Sequence, residues 1–144
     1  NNSEFSGFQL GTSTAGSGAA NAGIFGNNVS NVLIRQSIIN SSGGDGVLLT
    51  NTGGTINFQG DVINQAGANA SINAFRATGT VGTINYTSDP PLKTLGVVTA
   101  GTINNTGGTA VRVDNTLANG LVNFDGSTIN DSIGSGIQLF LTAN

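Results

Sequence analysis

The ten residues TINFQGDVIN, Thr55 to Asn64, contain two short strand patterns separated by a Gly-Asp turn. Apolar and polar residues alternate on each side of the turn, which is typical of short strands with one buried face. The pattern recurs as NVLIRQSIIN from Asn31 and as LVNFDGSTIN from Leu121, and TINYTSD from Thr83 repeats its first half. Recurrence of this kind predicts a repeat architecture.

A third strand pattern follows the other two. After Ile-Asn come a few Gly, Ser, Asn or Thr residues and then an apolar-x-apolar strand, as in Val47 to Leu49, Val111 to Val113 and Ile137 to Leu139. No segment between the strands is long enough for a crossover helix. We therefore predict an all-β fold, a single-stranded parallel β-helix (β-solenoid) of about five or six coils of roughly 19 to 28 residues each, with surface loop insertions.

Stacking of coils places each side chain above its equivalent in the next coil. The apolar positions are predicted to form a core stack of Ile34, Phe58, Tyr86, Phe124, Ile39, Ile63, Ile103, Ile129, Val47, Val111 and Ile137. The Asn that follows each Ile is predicted to form a ladder of amides, since an amide both donates and accepts and Asn tolerates left-handed turn geometry. This ladder comprises Asn40, Asn64, Asn104 and Asn130. The alternative is that Asn follows Ile by chance in an Asn-rich chain.

On these patterns, from about Phe8 to Leu141, the sequence resembles right-handed parallel β-helix proteins. Coils of that class carry three short strands and often an asparagine ladder at one tight turn. The strands INFQG and VNFDG are also similar to repeats of bacterial autotransporter passengers and polymorphic outer-membrane proteins, without their GGAI partner motif. The resemblance implies a repeat protein of the bacterial surface or adhesin type.

The chain is predicted to be one solenoid domain, residues 1–144, as a mature form or a segment of a longer chain. Residues 88–100 break the repeat with Asp89-Pro90-Pro91. Because proline has no N–H for a strand ladder, we predict that these residues form a loop insertion on the surface.

Charge and composition exclude several classes of function. Four basic residues against seven acidic ones give a net charge of −3, so nucleic acid is not an expected partner. No apolar run is long enough to span a bilayer. The chain has no Cys and no His, which removes disulfides, thiolate metal sites and the commonest general base. We expect no cofactor and no metal.

Candidates for catalysis are few. Parallel β-helix enzymes that act on acidic polysaccharides need clustered carboxylates with a basic residue, and the residues available are Asp61, Asp125 and Asp131 with Arg35 and Arg112. Nothing in the sequence places a third group beside Asp61 and Asp125. An Asp after a strand more often bonds its own backbone in a turn, so we predict that the chain is not an enzyme.

Two further features have structural interpretations. Asp45 and Asp114 are interpreted as exposed turn residues. A continuous file of Thr hydroxyls on a flat face would indicate ice binding, but the Thr-x-Asn triplets belong to two different strand patterns, so the file would be broken. These triplets begin at Thr55, Thr83, Thr102 and Thr128.

An uncapped solenoid exposes unpaired backbone groups and an apolar cross-section at both ends. Both terminal segments, FSGFQL and IQLFLTAN, are apolar. We therefore expect an extracellular or cell-surface structural protein that associates with itself head to tail into a filament, or continues into flanking solenoid as the stalk of an adhesin. The alternative is a β-helix that binds or cleaves polysaccharide, with a glycan partner, although the chain has no Trp and one Tyr. Ice binding is a remote alternative.

Overall fold

The computed structural model describes residues 3–11, 21–41, 43–65, 72–88, 101–105, 108–114, 120–131 and 134–140, which contain fifteen strands and no helix. The strands are β1 (Ser3–Ser6), β2 (Gln9–Leu10), β3 (Ile24–Asn27), β4 (Ser30–Arg35), β5 (Ile38–Ser41), β6 (Val47–Thr50), β7 (Gly53–Gln59), β8 (Val62–Gln65), β9 (Phe75–Thr78), β10 (Thr83–Thr87), β11 (Thr102–Asn105), β12 (Val111–Asp114), β13 (Leu121–Asp125), β14 (Thr128–Asp131) and β15 (Ile137–Phe140).

These strands form three parallel sheets of five strands. The first sheet has the order β1-β4-β7-β10-β13, the second contains β2-β5-β8-β11-β14, and the third contains β3-β6-β9-β12-β15. Each coil therefore contributes one strand to each sheet, and five coils stack. The predicted parallel β-solenoid of about five coils is confirmed.

The corner between the first and second sheets is set by one residue with left-handed backbone geometry. Gly7, Gln36, Gly60 and Gly126 occupy this position, with φ of 65°, 52°, 66° and 62°. The N–H of Gln36 donates to the carbonyl oxygen of Gln59 at 3.0 Å, so pairing between coils continues through the corner. Glycine suits this position because it has no Cβ to oppose a positive φ.

The register stacks the apolar positions inside the coils. Most residues of the predicted core are 6% exposed or less: Ile34, Ile39, Val47, Phe58, Ile63, Tyr86, Ile103 and Val111. Phe124 and Ile129 are partly buried. Ile137 stacks on Val111 as predicted, but it is not buried, because 52% of its surface is exposed. In the described residues its strand, β15, has a neighbouring strand on one side only, and no described coil covers its other side.

Four aromatic rings fill the core of the third, fourth and fifth coils. Phe75, which the sequence patterns missed, contacts Phe58 and Phe124 edge to face at centroid distances of 5.6 Å. Tyr86 lies between Phe58 and Phe124 at 5.9 Å and 5.8 Å. Such pairs add to the stability that burial alone provides.

Residues 89–100, most of the predicted loop insertion, lie outside the described residues, and Ser88 directly follows β10. The insertion therefore stays a prediction, as does the extent of the single domain.

Candidate functional site: the outer faces and ends of the solenoid

The predicted asparagine ladder is confirmed on the second sheet. The Nδ2 of Asn64 donates to the Oδ1 of Asn40 at 2.9 Å, Asn104 donates to Asn64 at 2.8 Å, and Asn130 donates to Asn104 at 2.9 Å. These residues lie within strands, and none of them has the positive φ expected at a tight turn. The ladder is therefore a feature of a sheet's outer face, because each Asn follows an inward Ile.

A second ladder lies on the first sheet and was missed by the sequence analysis. Asn85 donates from Nδ2 to the Oδ1 of Asn57 at 2.8 Å, and Asn123 donates to Asn85 at 2.9 Å. The available signal was an Asn between the two inward apolar residues of three strand patterns. The ladder stops at Asn57, because Leu33 occupies the equivalent position in the preceding coil.

Two of the aspartates stabilise coil corners. The buried carboxylate of Asp61 accepts backbone N–H bonds from Ser37 and from Gln59, both at 2.9 Å. The half-buried carboxylate of Asp45 accepts the backbone N–H of Asn73 at 2.7 Å. Both side chains thus satisfy backbone groups of a neighbouring coil or of their own turn, which is a structural role.

The hydroxyl of Tyr86 is held at the same corner as Asp61. It donates to the backbone carbonyl oxygen of Asp61 at 2.6 Å and lies 3.1 Å from the carbonyl oxygen of Thr102. Burial raises the pKa of Tyr86 well above its usual range, and the negative charge of Asp61 adds to the rise, while the Thr102 backbone opposes it. Tyr86 therefore acts as a neutral donor inside the core.

The candidate catalytic residues are not brought together. Asp125 is exposed on β13. Arg35 lies in the same column, that is, at the equivalent position of a stacked strand, three coils away. At ~4.8 Å per coil the two residues are about 14 Å apart. The guanidinium of Arg35 lies 3.7 Å from the carboxylate of Glu4. Arg112 is on the third sheet, and the side chain of Asp131 lies outside the described residues. Among the described residues, no three acidic, His or Cys side chains are grouped as metal ligands.

The interpretation of Asp114 as an exposed turn residue is wrong. Asp114 ends β12 and is 5% exposed, because guanidinium groups from two coils cover its carboxylate. The Nε of Arg76 lies 3.1 Å from Oδ2, and the Nε of Arg112 lies 2.9 Å from the same oxygen. The ring of Phe140 packs against Arg112, with 4.6 Å between the guanidinium carbon and the ring centroid. The cluster offsets the desolvation of the buried carboxylate.

The threonine files are short, as predicted. In the first sheet Thr55 pairs with Thr83, and the next residue in that column is Leu121. In the second sheet Thr102 pairs with Thr128, and the column continues with an apolar residue, Val62. Each file thus contains two hydroxyls.

Each end of the stack has an open cavity lined by apolar side chains. At the first-coil end, formed by β1, β2 and β3, a cavity of about 440 Å³ is lined by Phe5, Phe8, Leu10, Ile24, Phe25, Val29 and deeper core residues. At the fifth-coil end, formed by β13, β14 and β15, a cavity of about 310 Å³ is lined by Val113, Gly120, Leu121, Val122, Phe124, Ile137 and Leu139. Phe5 is 55% exposed and Leu139 is 61% exposed, although both occupy inward-facing columns.

Both ends also carry strand edges. Within the described ranges, β1, β2 and β3 each pair with one neighbouring strand, and so do β13, β14 and β15. A strand edge presents a row of N–H and C=O groups that can pair with another strand. The two ends therefore combine backbone pairing groups with apolar side chains.

A polar groove of about 450 Å³ lies on the outer face of the first sheet. Glu4, Asn31, Thr55 and Asn57 surround the side chain of Leu33 in this groove. The groove begins where the second ladder stops, because Leu33 cannot accept a hydrogen bond from Asn57.

Comparisons of the chain with protein-family models, with curated proteins and with solved structures found no match. The part of the chain that the structure describes contains no helix suited to crossing a membrane.

Proposed function

We propose that this chain is a non-enzymatic structural protein of the extracellular space or cell surface, whose solenoid lengthens by end-to-end strand pairing. Pairing with a second copy gives a filament, and pairing with flanking solenoid coils gives the stalk of a surface adhesin. The observation that carries the proposal is the exposure of inward-facing apolar residues at both ends, among them Phe5, Ile137 and Leu139.

The energetics support association at these ends. Full burial of a Leu, Ile or Phe side chain stabilises by about 1.5 to 3 kcal/mol relative to its exposure. An added coil buries several such side chains and pairs three strand edges at once. A contact between unlike ends that does not close into a ring extends without limit, as a filament does.

A second candidate function is glycan binding in the groove around Leu33. The groove offers the carboxylate of Glu4 and the amide of Asn57 beside an apolar side chain, and these groups bond the hydroxyls and pack on the faces of sugars. Chemical shift changes confined to these residues on titration with oligosaccharides would favour this function.

The experiment that tests the first proposal is electron microscopy with sedimentation over a concentration series of the purified chain. We expect thin filaments with an axial repeat of about 4.8 Å. Leu139→Asp and Phe5→Asp place a charge on opposite ends and should abolish the filaments while circular dichroism shows an intact fold.

The matched control is Val81→Asp, which changes an apolar residue of similar exposure (48%) between the third and first sheets. It should assemble like the unmodified chain. Monomers at all concentrations would overturn the proposal of self-assembly.

A further inference from the structure

We infer that two copies join with β1 of one copy in register with β13 of the other, and that Glu4 limits this joint because its carboxylate meets the amide oxygen of Asn123. The inference rests on the proposed function. It specifies the register in which two copies pair and the residue that controls the strength of the joint.

The first sheet determines the register. Phe5, Ile34, Phe58, Tyr86 and Phe124 form one inward column through the five coils. Extending this column by a second copy sets Phe5 on Phe124. The column already stacks rings on successive coils, since Tyr86 lies 5.8 Å from Phe124 between ring centroids. A further ring therefore continues an arrangement that the fold already contains.

The second and third sheets are compatible with the same register. The columns place Leu10 on Ile129 in the second sheet. In the third sheet they place Ile24 on Ile137. Leu139 meets Gly26, which presents no side chain of its own, and the side chains of Leu49 and Val29 beside this glycine make the surroundings apolar. No charged side chain enters the core at these positions of the joint.

Other registers are less favourable. A slip of one residue turns Phe5 from the core to the outer face. A slip of two residues in one direction opposes the carboxylates of Glu4 and Asp125. The same slip in the other direction sets Phe124 against Gly7, so the aromatic contact is lost.

In the favoured register, the outer column that ends at Asn123 would set two hydrogen-bond acceptors against each other. In both ladders each Nδ2 donates to the Oδ1 of the preceding coil, so the Oδ1 of Asn123 is the acceptor presented at the fifth-coil end. The residue that meets it is Glu4, which heads the column that continues through Leu33 and Asn57. An ionised carboxylate can only accept hydrogen bonds. Two oxygens therefore oppose each other, and a charge on an edge strand is a known protection against edge-to-edge association.

Replacement of Glu4 tests this role. Glu4→Gln supplies an N–H donor for Asn123, and we expect about a tenfold lower concentration for half-maximal assembly by sedimentation velocity. Glu4→Ala removes the charge without supplying a donor and should fall between Glu4→Gln and the unmodified chain. Both variants remove the ion pair with Arg35, so the difference in assembly between them reports chiefly the hydrogen bond to Asn123.

Disulfide trapping tests the register. The chain has no Cys, so an introduced pair is the only source of a disulfide. Ser6 and Asp125 belong to one outer column and would be neighbours across the joint. A mixture of Ser6→Cys and Asp125→Cys chains should give a disulfide-linked dimer, since paired strands lie ~4.8 Å apart, which is within the Cα separation that a disulfide spans. A mixture of Gln9→Cys and Asp125→Cys chains is the control, because Gln9 lies on the second sheet, and it should stay unlinked.

The results separate the two proposals. If neither the unmodified chain nor any variant associates, the proposed self-assembly fails, and this inference fails with it. If the unmodified chain assembles but Glu4→Gln assembles no more strongly than Glu4→Ala, or the Ser6 and Asp125 cysteines do not link, the filament proposal stands and this inference is overturned.

Discussion

Asn64 and Asn104 are 40 residues apart in sequence, and yet their side-chain amides are joined by a hydrogen bond of 2.8 Å. The pair on the other side of Asn64, with Asn40, spans 24 residues and has nearly the same length, 2.9 Å. The ladder thus keeps one register whatever the length of chain between the strands.

Removal of an amide from the middle of the ladder should weaken the fold more than removal from its end. Asn64→Ala eliminates two ladder bonds, and we expect a loss of about 1 to 3 kcal/mol in the free energy of unfolding in urea. Asn130→Ala eliminates one bond at an exposed position and should cost less than about 1 kcal/mol. Equal losses in the two variants would show that the number of ladder bonds removed does not determine the loss of stability.

The single tyrosine offers a clean test of pH dependence, because the chain has no Trp. Burial raises the pKa of Tyr86 in the folded protein above the value of about 10 in the unfolded chain. Its contribution to stability is therefore complete below pH ~10 and declines as the pH rises above that value. Ultraviolet absorbance should show ionisation only together with unfolding.

The control for this titration is Tyr86→Phe. This variant loses the hydrogen bond to Asp61 and should be less stable at neutral pH by about 1 kcal/mol. The decline in stability that the tyrosine causes at alkaline pH should be absent from it. Reversible ionisation near pH 10 with the fold intact would contradict burial of the hydroxyl.

The glycine at position 46 is required by close approach of neighbouring coils. A Cβ there would lie 2.5 Å from the carbonyl oxygen of Ala74 and 2.6 Å from Cγ2 of Ile63. Gly46→Ala should lower the unfolding free energy by about 1 to 3 kcal/mol. Gly53→Ala, where nothing lies within 4 Å of the added Cβ, should leave it unchanged or raise it slightly. If Gly46→Ala left the unfolding free energy unchanged, this packing of the coils would be wrong.

The carboxylate of Asp114 bridges the guanidinium groups of Arg76 and Arg112, which lie on adjacent coils. Asp114→Ala should cost about 1 to 3 kcal/mol, because it leaves the guanidinium groups of Arg76 and Arg112 close together without a counter-ion. Arg76→Ala retains one ion pair and should cost less. Thermal melting of the two variants measures the difference, and the opposite order would contradict a stabilising role for the shared carboxylate.

The inward face of the second sheet is tested by two neighbouring residues. Ile63 is fully buried, and Ile63→Asp places an unpaired charge in the stack, with a cost of several kcal/mol that should prevent folding. Val62→Asp carries the same charge on the outer face and should fold, as circular dichroism would show. If both variants melted like the unmodified chain, the inward assignment of Ile63 would be wrong.

The sequence predicted the fold and one ladder because both depend on a local pattern that repeats. Alternation of apolar and polar residues in TINFQGDVIN places Ile63 inward, and the residue after it, Asn64, outward. The second ladder was missed because Asn57 lies between two apolar residues, where any polar residue satisfies the alternation.

Features that depend on distant coils could not be predicted in the same way. The burial of Asp114 results from Arg76, a residue 38 positions earlier, whose approach follows from stacking. Ile137 fits the inward pattern, but its exposure depends on whether another coil lies beside β15. Local alternation indicates the direction of a side chain and not what covers it.

The aromatic cluster of Phe58, Phe75, Tyr86 and Phe124 has a consequence for the order of folding. In a linear stack each coil is stabilised only by itself and its neighbours, so folding starts where those contacts are strongest and spreads outward. The four rings lie in the third to fifth coils, which we expect to nucleate the fold. The first coil, which carries Glu4, is then the last to form and the first to fray. One of the two ends that meet another copy is therefore completed only after the rest of the rod has folded.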